Sequence, residues 1–487
     1  MRNFHVAIIG SGVVGSAIAW ELSKYKISVA VFEKGSDVCS GASKANSGVI
    51  HSGINSPNNS IKAKFCVDGN KMFQSLSDEL NIPLRWIGKY VIAKTQDEIK
   101  KLQELENVGK RNKVPGLKIH TSSEVNKKET NVDCEAALWV PTAGITLPYQ
   151  FNIALAENAA INNVNFFLET EVIDLKKKDE NFIITTNKGE FQSNIVVNSA
   201  GVNCRKIVEM VEEPNFNVYP CRGEYLVLDK NYSSLVNSMI YQVPQSDMGV
   251  LGIHITPTIE GNILLGPSAE FIDDSNDKRN TKDMMNRLIK EAKVILPSLP
   301  DDAIINAYSG IRCKISPHEK GGWADYRIEE SKKTPDLLNL LGIESPGLTA
   351  APAIAQHITE IISKKIEIIK KSNHKIRRFP NKRFGEMSII EQSEIISKDP
   401  RWGRIICRCE NITEAEVIQA LSNPLNSRTI ASVKYRCRAG MGRCQGGFCT
   451  QHIVRIMQQY FDINIKDIKL KSPKSNLFYR ENKRLRK

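Results

Sequence analysis

An α/β chain of several domains is predicted by three observations. At 487 residues the chain exceeds what one compact core organises, so two or three domains are expected. Its N-terminal stretch passes from a strand pattern to a helix pattern across a G-x-G-x-x-G sequence. Its cysteines are unevenly placed: the first 406 residues hold six and the last 81 hold five, which marks off a small C-terminal module.

The N-terminal stretch reads "FHVAIIGSGVVGSAIAWELSKYKISVAVFEK". Val6 to Ile9 is a short apolar, β-branched run suited to a buried parallel strand. Gly10, Gly12 and Gly15 follow, then Ala17, Ile18 and Leu22 on one helix face, then a second strand, "ISVAVFE", ending at Glu33. The three glycines serve in turn a tight turn, close approach of backbone to a pyrophosphate, and tight packing of helix on strand. The phosphates would meet the positive end of the helix. Glu33, 18 residues after Gly15, would accept hydrogen bonds from a ribose. Strand, helix and acid in this order raise a weak motif to a dinucleotide-binding one, without separating FAD from NAD.

Ser40 to Phe73, "SGASKANSGVIHSGINSPNNSIKAKFCVDGNKMF", is dense in small and polar residues before a helical pattern. With the glycine fingerprint it resembles the amino-acid-oxidase-like superfamily of FAD oxidoreductases. It is most similar to FAD-dependent glycerol-3-phosphate dehydrogenases and their L-2-hydroxyglutarate dehydrogenase relatives. Further matching segments follow in order. Glu169 to Gly201 is similar to the hairpin and strand that return to the adenosine. "GVLGIHITPTIEGNILLGPSAE" and "AYSGIRCKI" are similar to substrate-domain strands. "NLLGIESPGLTAAPAIAQHITEII" is similar to the closing strand, loop and helix. The resemblance extends to about residue 370. It implies a discontinuous Rossmann-like FAD-binding domain (1–75, 145–215, 335–370) interleaved with an α+β substrate domain (76–144, 216–334). It also implies FAD contacts from Ser43, Asn46, Ser47, Val172, Ala200 and Gly201, and from Gly342, Gly347, Leu348 and Thr349 at the closing loop. On residue chemistry alone, Gly342, Pro346 and Gly347 break a buried strand, and Thr349 is placed to cap the following helix. In the resembled family that helix end faces the flavin edge where negative charge develops.

His51 lies in "GVIHSG", which the resemblance places near the isoalloxazine. His254, in "GVLGIHIT", faces away from Ile253 and Ile255 if the segment is a strand. Each is either a buried structural histidine or the base that takes a hydroxyl proton, since imidazole has a suitable ordinary pKa near 6.5. Arg312, within an apolar strand, calls for an anion, and its planar fork suits phosphate or carboxylate. The resemblance implies that it orients the substrate. Lys314 and Arg327 are candidate additions to that anion pocket. The reaction implied is hydride transfer from a secondary alcohol carbon to the flavin.

The C-terminal cysteines stand in "ICRCE" and "RCRAGMGRCQGGFC". Thr413 and Glu416 form a T-x-x-E capping box for a short helix that stops by Pro424. "TQHIVRIMQQYF" reads as a second helix with its apolar stripe at Ile453, Ile456 and Met457. The cysteines would therefore lie on loops at helix ends, where peptide N–H groups stabilise anionic sulfur. C-x-C followed distantly by C-x₄-C fits structural zinc poorly, and a disulfide framework is not expected in a reducing compartment. The spacing resembles the bacterioferritin-associated-ferredoxin-like domain. That resemblance implies a small, mainly helical module over 401–463 holding a [2Fe–2S] cluster through Cys407, Cys409, Cys444 and Cys449. Cys437 is a fifth thiol, either a spare or a replacement for one of the four. Residues 371–400 read as a linker and covering segment.

Hydrophobic content of 41% and charged content of 25% are ordinary for a globular protein. No apolar run reaches the roughly 18 residues of a transmembrane helix, and no secretory signal pattern opens the chain. The chain is expected in the cytoplasm, reaching a membrane only through a partner. Part of the net charge of +13 sits in residues 464–487, which read as a solvated basic tail or docking arm. No nucleic-acid module accompanies it. A flavin joined to a cluster is built to pass electrons onward, so a dehydrogenase linked to a redox partner subunit or a quinone-linked membrane complex is expected. The expected substrate is a small anionic alcohol, glycerol 3-phosphate first and a 2-hydroxy acid such as L-2-hydroxyglutarate second. A non-catalytic electron-transfer subunit is the alternative from another class.

Overall fold

The computed structural model describes residues 1–244, 252–300, 302–376 and 383–479. Strand β1 (Arg2–Ile9) buries Val6 to Ile9 on both faces, as a central parallel strand requires. Helix α1 (Val13–Leu22) follows the glycine turn, and β2 (Val29–Phe32) lies parallel beside β1. On the other side of β1 runs the parallel strand Gly189–Asn198. That strand has two neighbours along its far edge. Asn181–Thr186 pairs antiparallel with its first half, and Leu337–Leu341 pairs parallel with its last three residues. Residues from three distant stretches thus meet in one eight-stranded sheet. Helices α1, α2 (Ile61–Leu80), Pro148–Ile161 and Gly347–Ser363 pack together beside it, around Trp20, Phe73, Phe151 and Ile354.

A second sheet of nine strands is organised by two long antiparallel strands, Tyr219–Leu228 and Ile304–Lys314, whose register sets Cys221 opposite Arg312. One face buries Leu226, Ile255 and Leu265 beside helix Lys282–Ile295. Alternate residues, among them Tyr225, His254 and Arg312, face the other way and line a large cavity shared with the first sheet. His254 therefore does point away from Ile253 and Ile255. The segment before it, 245–251, lies outside the described residues.

The C-terminal residues form a short hairpin, Ile405–Cys407 with Ile412–Thr413, and three helices, Glu414–Leu421, Ile430–Cys437 and Thr450–Phe461. Ile412, Val433, Ile453 and Met457 form their core. The Thr413–Glu416 capping box is present. Helix Ile430–Cys437 is an addition to the sequence reading, and Cys407 ends a strand rather than lying on a loop.

Three expectations need correction. Thr349 is not a cap: the helix starts at Gly347 with Pro346 before it, and Thr349 turns inward to accept the N–H of His51 at 2.9 Å. Within 371–400, residues Ile389–Lys398 form a helix capped by Ser388 and Glu391, while 377–382 lie outside the described residues. The basic tail is packed as far as Leu477. Ile468 is fully buried against the C-terminal core, where the three helices leave an apolar side open, and Lys469 holds Glu169 at 2.6 Å. Among the described residues no helix is long and apolar enough to cross a membrane.

The C-terminal unit is fastened to the first sheet by a buried arginine. Arg436, with its side chain 3% exposed, meets Asp37 at 2.6 Å and Glu157 at 2.8 Å. Tyr435 lies against Tyr149, with ring centroids 5.2 Å apart.

Candidate active site and cysteine site

The cavity between the two sheets has a volume of about 1090 Å³, at or above the upper end of the ~300–1,000 Å³ common for ligand pockets. One end of it is built by the glycine turn. Gly10 has φ +99°, and a Cβ there would stand 2.8 Å from the Ser199 carbonyl oxygen; a Cβ on Gly15 would stand 2.1 Å from the Gly10 oxygen. Only glycine permits this closeness, and it leaves bare backbone facing the cavity. The Glu33 carboxylate accepts from Ser11 N–H and Oγ–H on one oxygen, and from Gly35 N–H and Ser40 Oγ–H on the other. It is thus fixed at the end of β2, in the cavity wall.

Ser43 Oγ accepts the first helical N–H of α1, from Val13, at 2.8 Å. Asn46 folds its own loop by donating to Ala42 and Ser43 oxygens and accepting from Gly48 N–H. Its peptide oxygen accepts from Tyr308, and Ser47 is hydrogen-bonded to Tyr225. Val172, Ala200 and Gly201 line the same cavity, as do Gly347 and Leu348 at the start of the closing helix. Gly15, Gly342 and Thr349 do not line it; they shape the backbone behind. A Cβ on Gly342 (φ +68°) would crowd Ile315 at 2.9 Å. A long cavity with a glycine cradle at one end, a fixed carboxylate beside it and a helix N-terminus further along fits a dinucleotide.

The structure brings His51, His254 and Arg312 to the cavity together. Burial, with the charge of Lys89 adding to it, lowers the His51 imidazole to about 3; burial also holds His254 well below the ordinary value. Both rings are neutral at pH 7. His51 Nε2 is 3.3 Å from Ser345 Oγ, and His254 stacks on Tyr241 with centroids 3.5 Å apart. Arg312 donates both terminal nitrogens to the Ser268 carbonyl oxygen at 3.0 Å. Burial opposes its charge, but Cys221, Tyr225 and Glu344 outweigh that and raise its pKa.

Of the two added cations, one lines the cavity and the other does not. Lys314 lines the cavity, but its Nζ is held by Gly322 O at 2.7 Å and by Glu344 at 3.1 Å, with Lys62 on the same carboxylate. One carboxylate thus serves two lysines, which leaves a net positive charge on the trio. Arg327 lies outside the cavity wall, bonded to Glu329 and Asn215.

Sequence reasoning missed Lys89. It is 1% exposed, lines the cavity, reaches Asn55 Oδ1 at 3.5 Å and lies 4.5 Å from the Tyr241 ring centroid. Burial lowers its pKa to about 8. Among the described residues neither Lys89 nor Arg312 forms an ion pair. The Oη of Tyr241 and the Oγ of Ser52, both in residues of the cavity wall, are buried without a partner among the described residues. A signal for Lys89 existed: in "KYVIA" it shares a strand face with Val91 and Ala93, where a buried lysine is costly unless something there needs its charge.

Of the five C-terminal cysteines, Cys407 and Cys449 are buried while Cys409 and Cys444 are exposed, with their sulfurs 3.7 Å apart. Cys407 and Cys449 are hydrogen-bonded to each other, and this bond, with peptide N–H groups of Gly440 and Glu410, lowers Cys407 to about 6. N–H groups of Phe448 and Gly446 favour the thiolate of Cys444. A Cβ on Gly442 would stand 2.2 Å from that of Cys409, so this loop needs glycine to close. Among the described residues no three His, Cys, Asp or Glu side chains converge as a single-ion site. The four thiols come instead as two pairs ringed by N–H donors, a donor set that suits sulfide-bridged iron. Cys437 stands apart in bonding: its thiol donates to Val433 O at 3.3 Å, and burial pushes it up to about 12.

Comparison with known proteins agrees with both sites. Residues 5–361 match the family FAD dependent oxidoreductase, and residues 405–459 match the BFD-like [2Fe-2S] binding domain. The chain is 41% identical to glycerol 3-phosphate dehydrogenase of Caloramator mitchellensis, over 96% of both chains. It is 32% identical to mitochondrial L-2-hydroxyglutarate dehydrogenase of Arabidopsis thaliana, over 72% of this chain and 82% of that one. The structure of dithionite-reduced L-alpha-glycerophosphate oxidase from Mycoplasma pneumoniae with FAD bound superimposes with a TM-score of 0.73 at 28% identity, covering 78% of this chain and 100% of that one. The glycine cradle, the cavity and the two thiol pairs thus belong to a member of the FAD dependent oxidoreductase family, an enzyme that uses FAD and carries a C-terminal [2Fe–2S] domain.

Proposed function

We propose that this enzyme oxidises sn-glycerol 3-phosphate to dihydroxyacetone phosphate and passes the electrons through its cluster to a redox partner. The observation that carries this reading is the pair of cavity cations, Arg312 and Lys89, without carboxylate partners among the described residues and beside two neutral imidazoles. A phosphate bearing two negative charges matches two such cations. The hydroxyls of Tyr241 and Ser52, without partners among the described residues, offer bonds to the glycerol hydroxyls.

Bound FAD supplies the hydride acceptor, and the [2Fe–2S] cluster supplies a one-electron outlet. The chain's own residues bind, orient and take a proton. Arg312 and Lys89 hold the anionic end, which fixes where the carbinol carbon lies. His51 takes the hydroxyl proton at Nε2, the atom that faces Ser345. In the neutral ring protonated at Nδ1, that nitrogen accepts. The positive charge of Lys89 disfavours protonation of this ring; a phosphate on Lys89 cancels that charge and makes His51 a stronger base when substrate is present. His254, stacked on Tyr241, holds the cavity wall.

The likeness to L-2-hydroxyglutarate dehydrogenase supplies the competing substrate. Steady-state assays with a dye acceptor decide between them: kcat/KM for glycerol 3-phosphate is expected to exceed that for L-2-hydroxyglutarate by about a hundredfold or more. The reverse order would move the enzyme to the hydroxy-acid branch.

A further inference from the structure

The two cluster-module thiol pairs differ in exposure, and that difference has a direction. Cys407 and Cys449 are 1% exposed, whereas Cys409 and Cys444 lie on the outer surface. Whatever these four sulfurs hold is open to solvent on the Cys409–Cys444 side. The surrounding chain is one-signed: residues 404–409 and 441–455 contain Arg404, Arg408, Arg443 and Arg455 and no acidic residue. All four arginines are exposed. Arg404 is shared with Glu414 at 3.2 Å, and Arg443 has Asp229 at 3.8 Å with its side chain 75% exposed. Both contacts leave most of the charge facing water.

An aromatic platform completes the collar. Arg408, between the two cysteines of the hairpin, sits 4.6 Å from the centroid of Phe448. Phe448 is 36% exposed and lies 5.1 Å from His452. Arg455 follows His452 by three residues on helix Thr450–Phe461, so it continues the same face. Exposed aromatic and arginine side chains around a small site are the composition of a protein-docking patch.

We propose that the Cys409–Cys444 edge, with its collar of Arg408, Arg443, Arg455 and Phe448, is the docking surface for a small acidic one-electron carrier protein. This rests on the electron-passing role proposed above. Each encounter would move one electron, the group held by Cys407, Cys409, Cys444 and Cys449 being oxidised and the carrier reduced. Oxidation of one alcohol to a ketone releases two electrons and two protons, so two oxidised carriers are reduced per turnover and the protons go to water. Charge complementarity selects the occupant. An acidic carrier matches a compact one-signed collar centred on the exposed thiols, and such pairing gives fast, salt-sensitive encounter. An anionic lipid surface is less well matched, because the apolar stripe of helix Thr450–Phe461 is buried in the C-terminal core and leaves the collar few large apolar groups to insert.

The test uses the full-length protein with both cofactors bound, their content checked by visible absorbance, and a small acidic flavodoxin as the probe. Binding is measured at low and high salt for wild type, Arg443→Glu, and Arg443→Glu with Arg455→Glu. Neither arginine lines the cavity, so bleaching of the flavin by glycerol 3-phosphate serves as a separate control that reports on the substrate reading alone. The expected result is binding weakened by raised salt, and lost about tenfold or more in the double variant. Equal binding by wild type and the double variant would overturn the proposal, as would no binding at low salt. Wild-type binding to phosphatidylglycerol vesicles that the double variant loses, with none to flavodoxin, would assign the collar to a membrane instead. Phe448→Ala, which leaves the charges in place, is expected to weaken binding without changing its salt dependence.

Discussion

Lys89 concentrates the residue-scale chemistry, because it is a buried cation whose pKa has fallen to about 8. Below that pH it is charged and holds an anion; above it the charge is lost. KM for the anionic substrate is therefore expected to rise as pH passes upward through about 8, and Lys89→Met is expected to raise KM at neutral pH and flatten that rise. A KM–pH profile that is the same in both proteins would remove Lys89 from the site. Arg312→Ala is expected to lower kcat/KM by about thirtyfold or more, from the ~2–5 kcal/mol typical of truncating one partner of a buried charge pair, while flavin content stays unchanged. His51 and His254 carry a stability signature as well. Both have folded pKa values below the unfolded value of 6.5, so the unfolded state binds more protons as pH falls. Thermal stability is expected to drop between pH 7 and pH 5, less so in His51→Asn. At this scale the inward place of His51, His254 and Arg312 on the cavity wall was legible because a polar group in an apolar pattern asks for a reason. Lys89 gave the same signal at a strand's first residue, where a lysine is easily taken for an exposed end. For Lys314 the carboxylate that holds it, Glu344, could not be read locally, being 30 residues away.

Among the elements, the start of helix Gly347–Ser363 is the joint on which the site turns. Thr349 there accepts the His51 N–H, and its carbonyl oxygen would lie 2.0 Å from a Cβ added at Gly69 of α2. Gly69→Ala must push this helix from α2, an overpacking that costs about 1–3 kcal/mol. A lower Tm together with weaker FAD retention is the expected outcome, since Gly347 and Leu348 form the cavity wall. An unchanged Tm would show that the joint is slack. The glycine fingerprint was legible because what it does is local, with a turn, an approach and a packing contact all within a few residues. The role of Thr349 was not, because its partner lies 298 residues away in sequence. Helix Ile430–Cys437 was obscured by its β-branched residues and its closeness to the cysteine loop.

For the whole molecule, the C-terminal unit is locked to the first sheet through Arg436, its guanidinium shared between Asp37 and Glu157. Arg436→Met removes the guanidinium that Asp37 and Glu157 share, and breaking such a buried pair costs about 3–5 kcal/mol. Calorimetry is expected to show the single unfolding transition split into two as the C-terminal unit loosens; a single unshifted transition would mean that the contact is not holding the units. The meeting of distant stretches in one sheet lay beyond residue patterns, since nothing local says which strands become neighbours; only the family resemblance implied it. The tail was misjudged on charge, although Ile468 and Leu477 carry the apolar surface that seats it. The central claim is that an anionic alcohol reduces the flavin and, through it, the cluster. Anaerobic mixing with glycerol 3-phosphate, followed at the flavin and cluster absorbance bands, tests it most directly. Loss of absorbance at both bands is the predicted result. Bleaching of both by a chemical reductant, with no response to glycerol 3-phosphate at either, would contradict it.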